Sequence, residues 1–247
     1  MEVKNKVCVV TGGSSGLGRG TLNVLRRAGA RVVNFDMAPI RGGPDDKDLL
    51  FAKVDVTDEA AVATGFDQVM QRFGAVDVCV NCAGVVKGAP LLGDDGTFPL
   101  ALFRQIIEVN LTGTFIVAAA AARLMAKNQP GADGERGVIV NTSSIAAMDA
   151  SSSVAYAASK GGVASMTLTA ARDLARYGIR VNAIAPGFMD TAMFSGLPPG
   201  WTEKLIAKTV FPNRLGHSEE FGELVLYLVE SRFMNASVIR FDAGSRV

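Results

Sequence analysis

One segment constrains the fold more than any other: Lys6-Val7-Cys8-Val9-Val10, an apolar run, leads directly into Thr11-Gly12-Gly13-Ser14-Ser15-Gly16-Leu17-Gly18 and then a helical stretch through Leu25. The order is buried strand, glycine turn and helix start, the opening unit of a parallel α/β sheet. Gly12, Gly16 and Gly18 let the backbone turn tightly and come close to a pyrophosphate, whose charge the free N–H groups of a helix N-terminus can hold. The spacing is GxxxGxG rather than GxGxxG. Alone, the segment also reads as an ordinary β–α loop, so the remainder of the chain decides.

Further apolar runs place strands near residues 6–11, 31–35, 50–54, 76–81, 137–142, 180–185 and 238–241, with helical stretches between most of them. That alternation predicts one α/β domain over residues 1–247, a Rossmann-like, doubly wound sheet of about seven parallel strands with helices on both faces. With 247 residues, 49% of them hydrophobic, the chain can bury the core this needs. Two regions interrupt the alternation. Val86 to Leu100, rich in glycine, aspartate and proline, reads as an inserted surface loop. Phe188 to His217 carries Met189, Met193, Phe194, Leu197, Trp201, Leu205 and Phe211 between prolines and glycines, and reads either as an apolar lid over a site or as ordinary packing.

Charge excludes some classes. A formal balance of +1, from 25 basic and 24 acidic side chains, creates no global basic field for nucleic acid. Cys79 and Cys82 form a CxxC string, but on a strand that spacing turns the two side chains to opposite faces, so all three cysteines read as buried thiols. His217 is the only histidine and reads as a polar loop residue, so no histidine-based metal site is expected. The first strand begins by Lys6, leaving no room for a cleavable secretory signal, and no apolar run approaches the ~20 residues of a membrane span. The expectation is a soluble intracellular protein, cytoplasmic or of the mitochondrial matrix if the source is eukaryotic.

The chemistry gathers at Tyr156-Ala157-Ala158-Ser159-Lys160, which sets a phenol and an ammonium on one face of a helix. Tyrosine titrates near ~10. At neutral pH it takes a proton from an alcohol only where a nearby cation stabilises the phenolate, and Lys160 is placed to be that cation.

Together, GxxxGxG and YxxxK resemble the short-chain dehydrogenase/reductase family, and the resemblance covers nearly the whole chain. Asn81-Cys82-Ala83-Gly84 after an apolar strand resembles the family's NNAG turn, with cysteine second. Asn110 in Val109-Asn110-Leu111-Thr112-Gly113 matches its helix asparagine, Gly137 to Ser144 the strand that ends in a catalytic serine, and Arg180 to Gly187 the later strand with its Pro-Gly turn. Family members commonly place the serine thirteen residues before the tyrosine. Here Ser143 has that spacing and Ser144 is twelve before, yet Ser144, second of the strand-end pair, is the one the pattern selects.

The resemblance implies that Ser144 hydrogen-bonds a substrate oxygen, Tyr156 exchanges the proton, Lys160 holds a nicotinamide ribose and lowers the tyrosine pKa, and Asn110 anchors a water relay. The cofactor would lie against Gly12, Ser14, Ser15, Gly16, Leu17 and Gly18, with Asn81, Ala83, Gly84, Tyr156 and Lys160 beneath it and Pro186, Gly187 and Thr191 at its far end. Asp36, closing the second strand, would bind the adenosine ribose hydroxyls and repel a 2′-phosphate. Neither Ser15 nor Met37 supplies the cation that NADP-preferring members carry, so NAD is expected, with Asp55 and Val56 flanking the adenine.

Arg136 to Thr142, Cys82, Ala158 to Gly162, Phe211 to Gly216 and Val238 to Asp242 further resemble the type-2 3-hydroxyacyl-CoA dehydrogenases, a subgroup that also oxidises hydroxysteroids. This implies an (S)-3-hydroxyacyl-CoA, with hydroxysteroids, prostaglandins and other apolar secondary alcohols as alternatives. The alanine-rich helix at Ala118 to Ala122, the helix from Tyr156 to Arg176 and the tail from Val238 to Val247 imply a homodimer or homotetramer. Two other classes are weighed. A non-catalytic nucleotide-binding scaffold usually loses the tyrosine or lysine kept here. Gly12 to Gly16 also satisfies GxSxG, a hydrolase elbow, but only one short strand precedes it and its sole candidate base is His217.

Overall fold

The computed structural model describes residues 1–40, 48–88, 90–93, 96–149, 153–191 and 200–246. Seven strands form one parallel sheet: β1 (Val7–Thr11), β2 (Arg31–Asp36), β3 (Leu49–Lys53), β4 (Val78–Asn81), β5 (Gly137–Thr142), β6 (Ile179–Pro186) and β7 (Val238–Phe241). Their order is β3-β2-β1-β4-β5-β6-β7, so the sheet winds outward both ways from the junction of β1 and β4. The strands are near-continuous apolar runs because helices cover both faces. Along β1 the side chains alternate, Val7 and Val9 entering one core and Cys8 and Val10 the other. Cys79 and Cys82 likewise pack on opposite faces, although Cys82 is only half-buried, not the buried thiol expected.

Helices α1 (Gly16–Arg27) and α7 (Ser218–Glu230) cover one face. They meet almost backbone to backbone: a Cβ on Gly20 would lie 2.3 Å from the Ser218 carbonyl carbon, and one on Gly222 would lie 2.9 Å from the Gly20 oxygen. On the other face lie α2 (Glu59–Phe73), α4 (Gly113–Met125) and α5 (Val154–Leu174). Between β4 and α4 come a two-stranded ribbon (Leu92–Gly93 with Gly96–Thr97), α3 (Leu100–Ile107) and a π-helical turn, Glu108–Thr112. The region expected to be a plain loop thus contains a short hairpin of its own, with Leu91 and Leu92 exposed.

Expectation and structure part in two further places. Strand β4 starts at Val78 rather than Val76, although the Asp77 backbone already bonds Val7 and Val138, and the Asp77 carboxylate accepts the Val7 N–H (2.9 Å) and the Lys6 ammonium (3.0 Å). His217 is the exposed loop residue expected and is also the N-cap of α7, where its N–H donates to Glu220 Oε2 at 2.7 Å. The continuous helix Leu100–Met125 is long and apolar enough to cross a membrane, contrary to the reading of the runs. It interleaves Arg104, Glu108 and Arg123 with its apolar residues and buries Ile106, Val117, Ala121 and Met125 inside the protein, as a core helix does.

Candidate active site

The carboxyl ends of β1, β2, β4, β5 and β6 converge on one edge, where a doubly wound sheet opens its crevice. At the floor, the buried Thr11 hydroxyl accepts the N–H groups of Cys82 (3.1 Å) and Ala83 (3.0 Å), joining the turns after β1 and β4. Gly12 has φ +67°, and a Cβ there would lie 3.0 Å from Ala83 backbone. A Cβ on Gly18 would lie 2.3 Å from the Gly12 carbonyl oxygen. Both positions therefore require glycine. Leu17 packs half-buried on the α1 side of the core. Helix α1 begins at Gly16 with Ser15 as its N-cap, and Ser15 makes no side-chain capping bond. The first N–H groups of a helix lack intrahelical partners, so this end is left to an anion from outside.

Asp36 ends β2 beside that turn. One carboxylate oxygen accepts the Ser14 N–H at 3.0 Å and the other the Ala38 N–H at 3.3 Å. The Ser14 hydroxyl donates to the Ala38 carbonyl and accepts Asn34 Nδ2 (2.9 Å). Its hydrogen bonds hold the turn and involve no histidine, which removes the main support for a hydrolase elbow. Across the crevice, Thr191 lies 3.5 Å from where a Gly16 Cβ would be, and Gly187 donates to the Phe241 carbonyl just past Pro186. The expected cradle is thus assembled from separate segments. A dinucleotide fits its bare glycines, helix N-terminus and strand-end carboxylate.

Lys160 is 4% exposed and donates to the Thr142 carbonyl at 2.8 Å, 5.8 Å from the centre of the Tyr156 ring. Gly84 lies against it, since a Cβ there would be 3.6 Å from the ammonium and 3.2 Å from Asn110 Oδ1. Ser144, not Ser143, acts on the half-buried Tyr156 phenol, favouring its ionised form. Ser143 points inward and donates to the Lys160 carbonyl at 2.9 Å. Residue spacing favoured Ser143, but the two serines alternate at the end of β5 and only one can face the crevice.

Burial dominates the Tyr156 phenol and raises its pKa, with the Ser144 hydrogen bond opposing. Burial also depresses the Lys160 pKa, to about 8, against a raising influence from Cys82. The cation is therefore itself near the edge of losing its charge.

Other residues of the expected site make contacts within the protein. Asn110, fully buried in the π-turn, accepts the Val85 N–H with Oδ1 (2.8 Å) and donates Nδ2 to the Val85 carbonyl (2.9 Å) and Ser159 Oγ (3.1 Å), which uses both amide hydrogens and leaves Oδ1 one further lone pair. Asn81 faces the sheet interior, donating to Asn141 Oδ1 (2.9 Å), which donates on to Thr167. Only its backbone is left for a cofactor. Asp55 turns its carboxylate to the Thr57 N–H and hydroxyl, and Val56 packs where a Gly113 Cβ would lie 2.7 Å away. Of the lid, Met189 is core at 4% exposure, whereas Trp201, Val210 and Phe211 are exposed; Met193, Phe194 and Leu197 lie outside the described residues. Thr11, Thr142 and Ser159 were missed as site-building groups, though each is polar at the end of a buried strand or beside the YxxxK lysine.

Known proteins share this arrangement. The family model described as short chain dehydrogenase matches residues 6–200. The chain belongs to the short-chain dehydrogenase family. It is accordingly an oxidoreductase. The 3-hydroxyacyl-CoA dehydrogenase type-2 of Homo sapiens is 42% identical over 253 residues, covering 100% of this chain and 97% of that protein. The protein of the same description from Drosophila melanogaster is 40% identical, covering 99% of both. A crystal structure of 3-hydroxyacyl-CoA dehydrogenase type-2 from Mycobacterium avium superposes with a TM-score of 0.92 at 33% identity, covering 98% of this chain and 96% of that one. Among the described residues there is no metal-binding cluster of histidine, cysteine and carboxylate groups.

Proposed function

We propose that this short-chain dehydrogenase uses NAD to interconvert a secondary alcohol and its ketone, with an (S)-3-hydroxyacyl-CoA as the alcohol. One observation carries the reaction class: Ser144 meets the Tyr156 phenol, with the buried Lys160 one helical turn from it, beside a glycine cradle. In this reading Tyr156 Oη receives the alcohol proton while Ser144 Oγ holds the substrate oxygen. Lys160, fixed by Thr142, supports the ribose and the phenolate. Asn110 acts from behind, fastening Val85 and Ser159 around the lysine. A nicotinamide dinucleotide, when bound, supplies the hydride acceptor.

NAD over NADP rests on Asp36. Its carboxylate already accepts two backbone N–H groups, which fixes it on the side where a 2′-phosphate would come, and Met37 beside it is exposed and uncharged. The acyl-CoA substrate rests on the likeness to relatives named for it and on exposed Trp201, Val210 and Phe211 near the crevice. A free hydroxysteroid is the second reading, favoured by one fact: Lys87 is the only cation in the 86–100 insertion, a thin provision for CoA phosphates.

The deciding experiment is an initial-rate panel of 3-hydroxyacyl-CoAs, hydroxysteroids and simple secondary alcohols with NAD and with NADP. Acetoacetyl-CoA should be reduced with NADH. Failure with every 3-ketoacyl-CoA, together with brisk steroid oxidation, transfers the assignment to the second reading. Equal or better catalytic efficiency with NADP removes Asp36 as the selector.

A further inference from the structure

The turn that carries Ser144 is held at both ends. At its start, Ser143 donates its backbone N–H to Ile184 (2.8 Å) and its hydroxyl to the Lys160 carbonyl. The turn then closes on itself: Ser144 Oγ accepts the Ala146 N–H (3.2 Å), and the Ile145 carbonyl accepts the N–H groups of Met148 and Asp149. Its far end, Asp149, is gripped by a residue from the last strand. Arg240 Nη1 and Nη2 donate to Asp149 Oδ1 (3.0 Å) and Oδ2 (2.8 Å), a two-pronged ion pair, with Arg240 side chain 24% and Asp149 16% exposed.

The guanidinium is itself fixed. Nε donates to Asp242 Oδ2 (2.8 Å) and Nη2 also to the Ser245 carbonyl (2.8 Å). The C-terminal turn reaches two other parts of the crevice: the Phe241 carbonyl accepts the Gly187 N–H, and the Ala243 carbonyl accepts those of Val210 and Phe211. Planar guanidinium–carboxylate pairs fix direction as well as distance. Ser144 must stay in hydrogen-bond reach of both the phenol and a substrate oxygen, where small displacements are costly.

We infer that Arg240 is a positioning residue for catalysis: by clamping Asp149 it holds the Ser144 hydroxyl against Tyr156, making the C-terminal turn part of the alcohol-oxidising machinery. This rests on Ser144 being the substrate-binding serine. The ordinary alternative is a tether that only keeps β7 on the sheet, and it predicts a loss of stability without a specific loss of turnover.

A double-mutant cycle separates them, with kcat, substrate KM, NADH affinity by fluorescence and Tm measured on the full chain, and enzyme in excess so that slow turnover stays readable. Arg240→Ala and Asp149→Asn should each lower kcat about tenfold while NADH affinity stays within about twofold. Arg240→Lys, which keeps the charge but cannot span both carboxylate oxygens, should fall between. In a Ser144→Ala background, Arg240→Ala should cost less than about a further twofold, because the serine through which it acts is gone. A full tenfold loss in that background overturns the inference, as does wild-type kcat in Asp149→Asn. If Ser144→Ala itself turns over at the wild-type rate, the reading of the active site fails instead.

Discussion

The two sides of the crevice are built from different materials. On the cofactor side the surface is backbone: Gly12 against Ala83, Gly18 against the Gly12 carbonyl, and the uncapped start of α1, all held by strand ends that are almost fully buried. On the side proposed for the substrate it is side chains on short elements. Trp201 opens α6 (Trp201–Ile206), Val210 and Phe211 hang from two bonds to Ala243, and among the described residues the ribbon around Leu92 pairs only with itself. A shape made of backbone tolerates no added atom. One made of exposed side chains changes by substitution at little cost, and that is where specificity can drift within a shared reaction.

The largest effect expected belongs to neither side but to the group between them. Tyr156→Phe should lower kcat at least about 100-fold and leave NADH affinity within a few-fold, measured by steady-state kinetics and fluorescence titration. Retention of more than about a hundredth of the wild-type rate would remove Tyr156 as the proton acceptor. The cofactor side is next. Gly18→Ala puts a methyl group into the Gly12 carbonyl and should cost about 1–3 kcal/mol of stability, with weaker NADH binding, read by denaturant unfolding and titration. An unchanged midpoint and affinity would break the contrast at its strongest point.

Lys160 offers a sharper test of the buried floor. Its folded-state pKa, about 8, lies below its ordinary value because burial disfavours the ammonium. Between about pH 8 and the ordinary lysine value, the unfolded chain binds a proton that the folded protein has released. Stability from this group therefore rises with pH across that window, and is lost as pH falls through about 8. Lys160→Met should flatten that rise in Tm, measured without added cofactor. Identical pH profiles would show the ammonium to be solvated. The smallest effect is predicted on the substrate side. Phe211→Ala, at an 83% exposed position, should change stability by no more than about 0.5 kcal/mol while shifting substrate KM several-fold for long apolar substrates alone.

The same division explains what could be read from the sequence. Strands and the glycine turn were legible because burial on both faces writes continuous apolar runs, and a backbone that approaches a ligand or another backbone demands glycine. Asp36 and Lys160 were legible from position along a strand or a helix. The roles of Asn81 and Asn110 were not, since a side-chain amide reveals nothing of its direction, and here one turns into the sheet and the other ties Val85 to Ser159. The bond between Asp149 and Arg240 joins residues 91 apart in sequence. No local pattern announces it.

The near-contact of Gly20 and Gly222 with neighbouring backbone bears on how the chain could be divided. α1 belongs to the opening β–α unit and α7 follows β6, yet α7 fits into the surface of α1 with no room for a side chain between them, and Phe221, Val225 and Leu228 roof the core beneath β1 and β4. A chain severed between β4 and β5 would leave the leading fragment with an uncovered greasy face and the trailing one with a helix that has nothing to lie on. Split-reporter designs and domain-shuffled hybrids should therefore exchange α1 and α7 together, and a fragment ending before α7 should be recovered as an aggregate unless its complement is co-expressed.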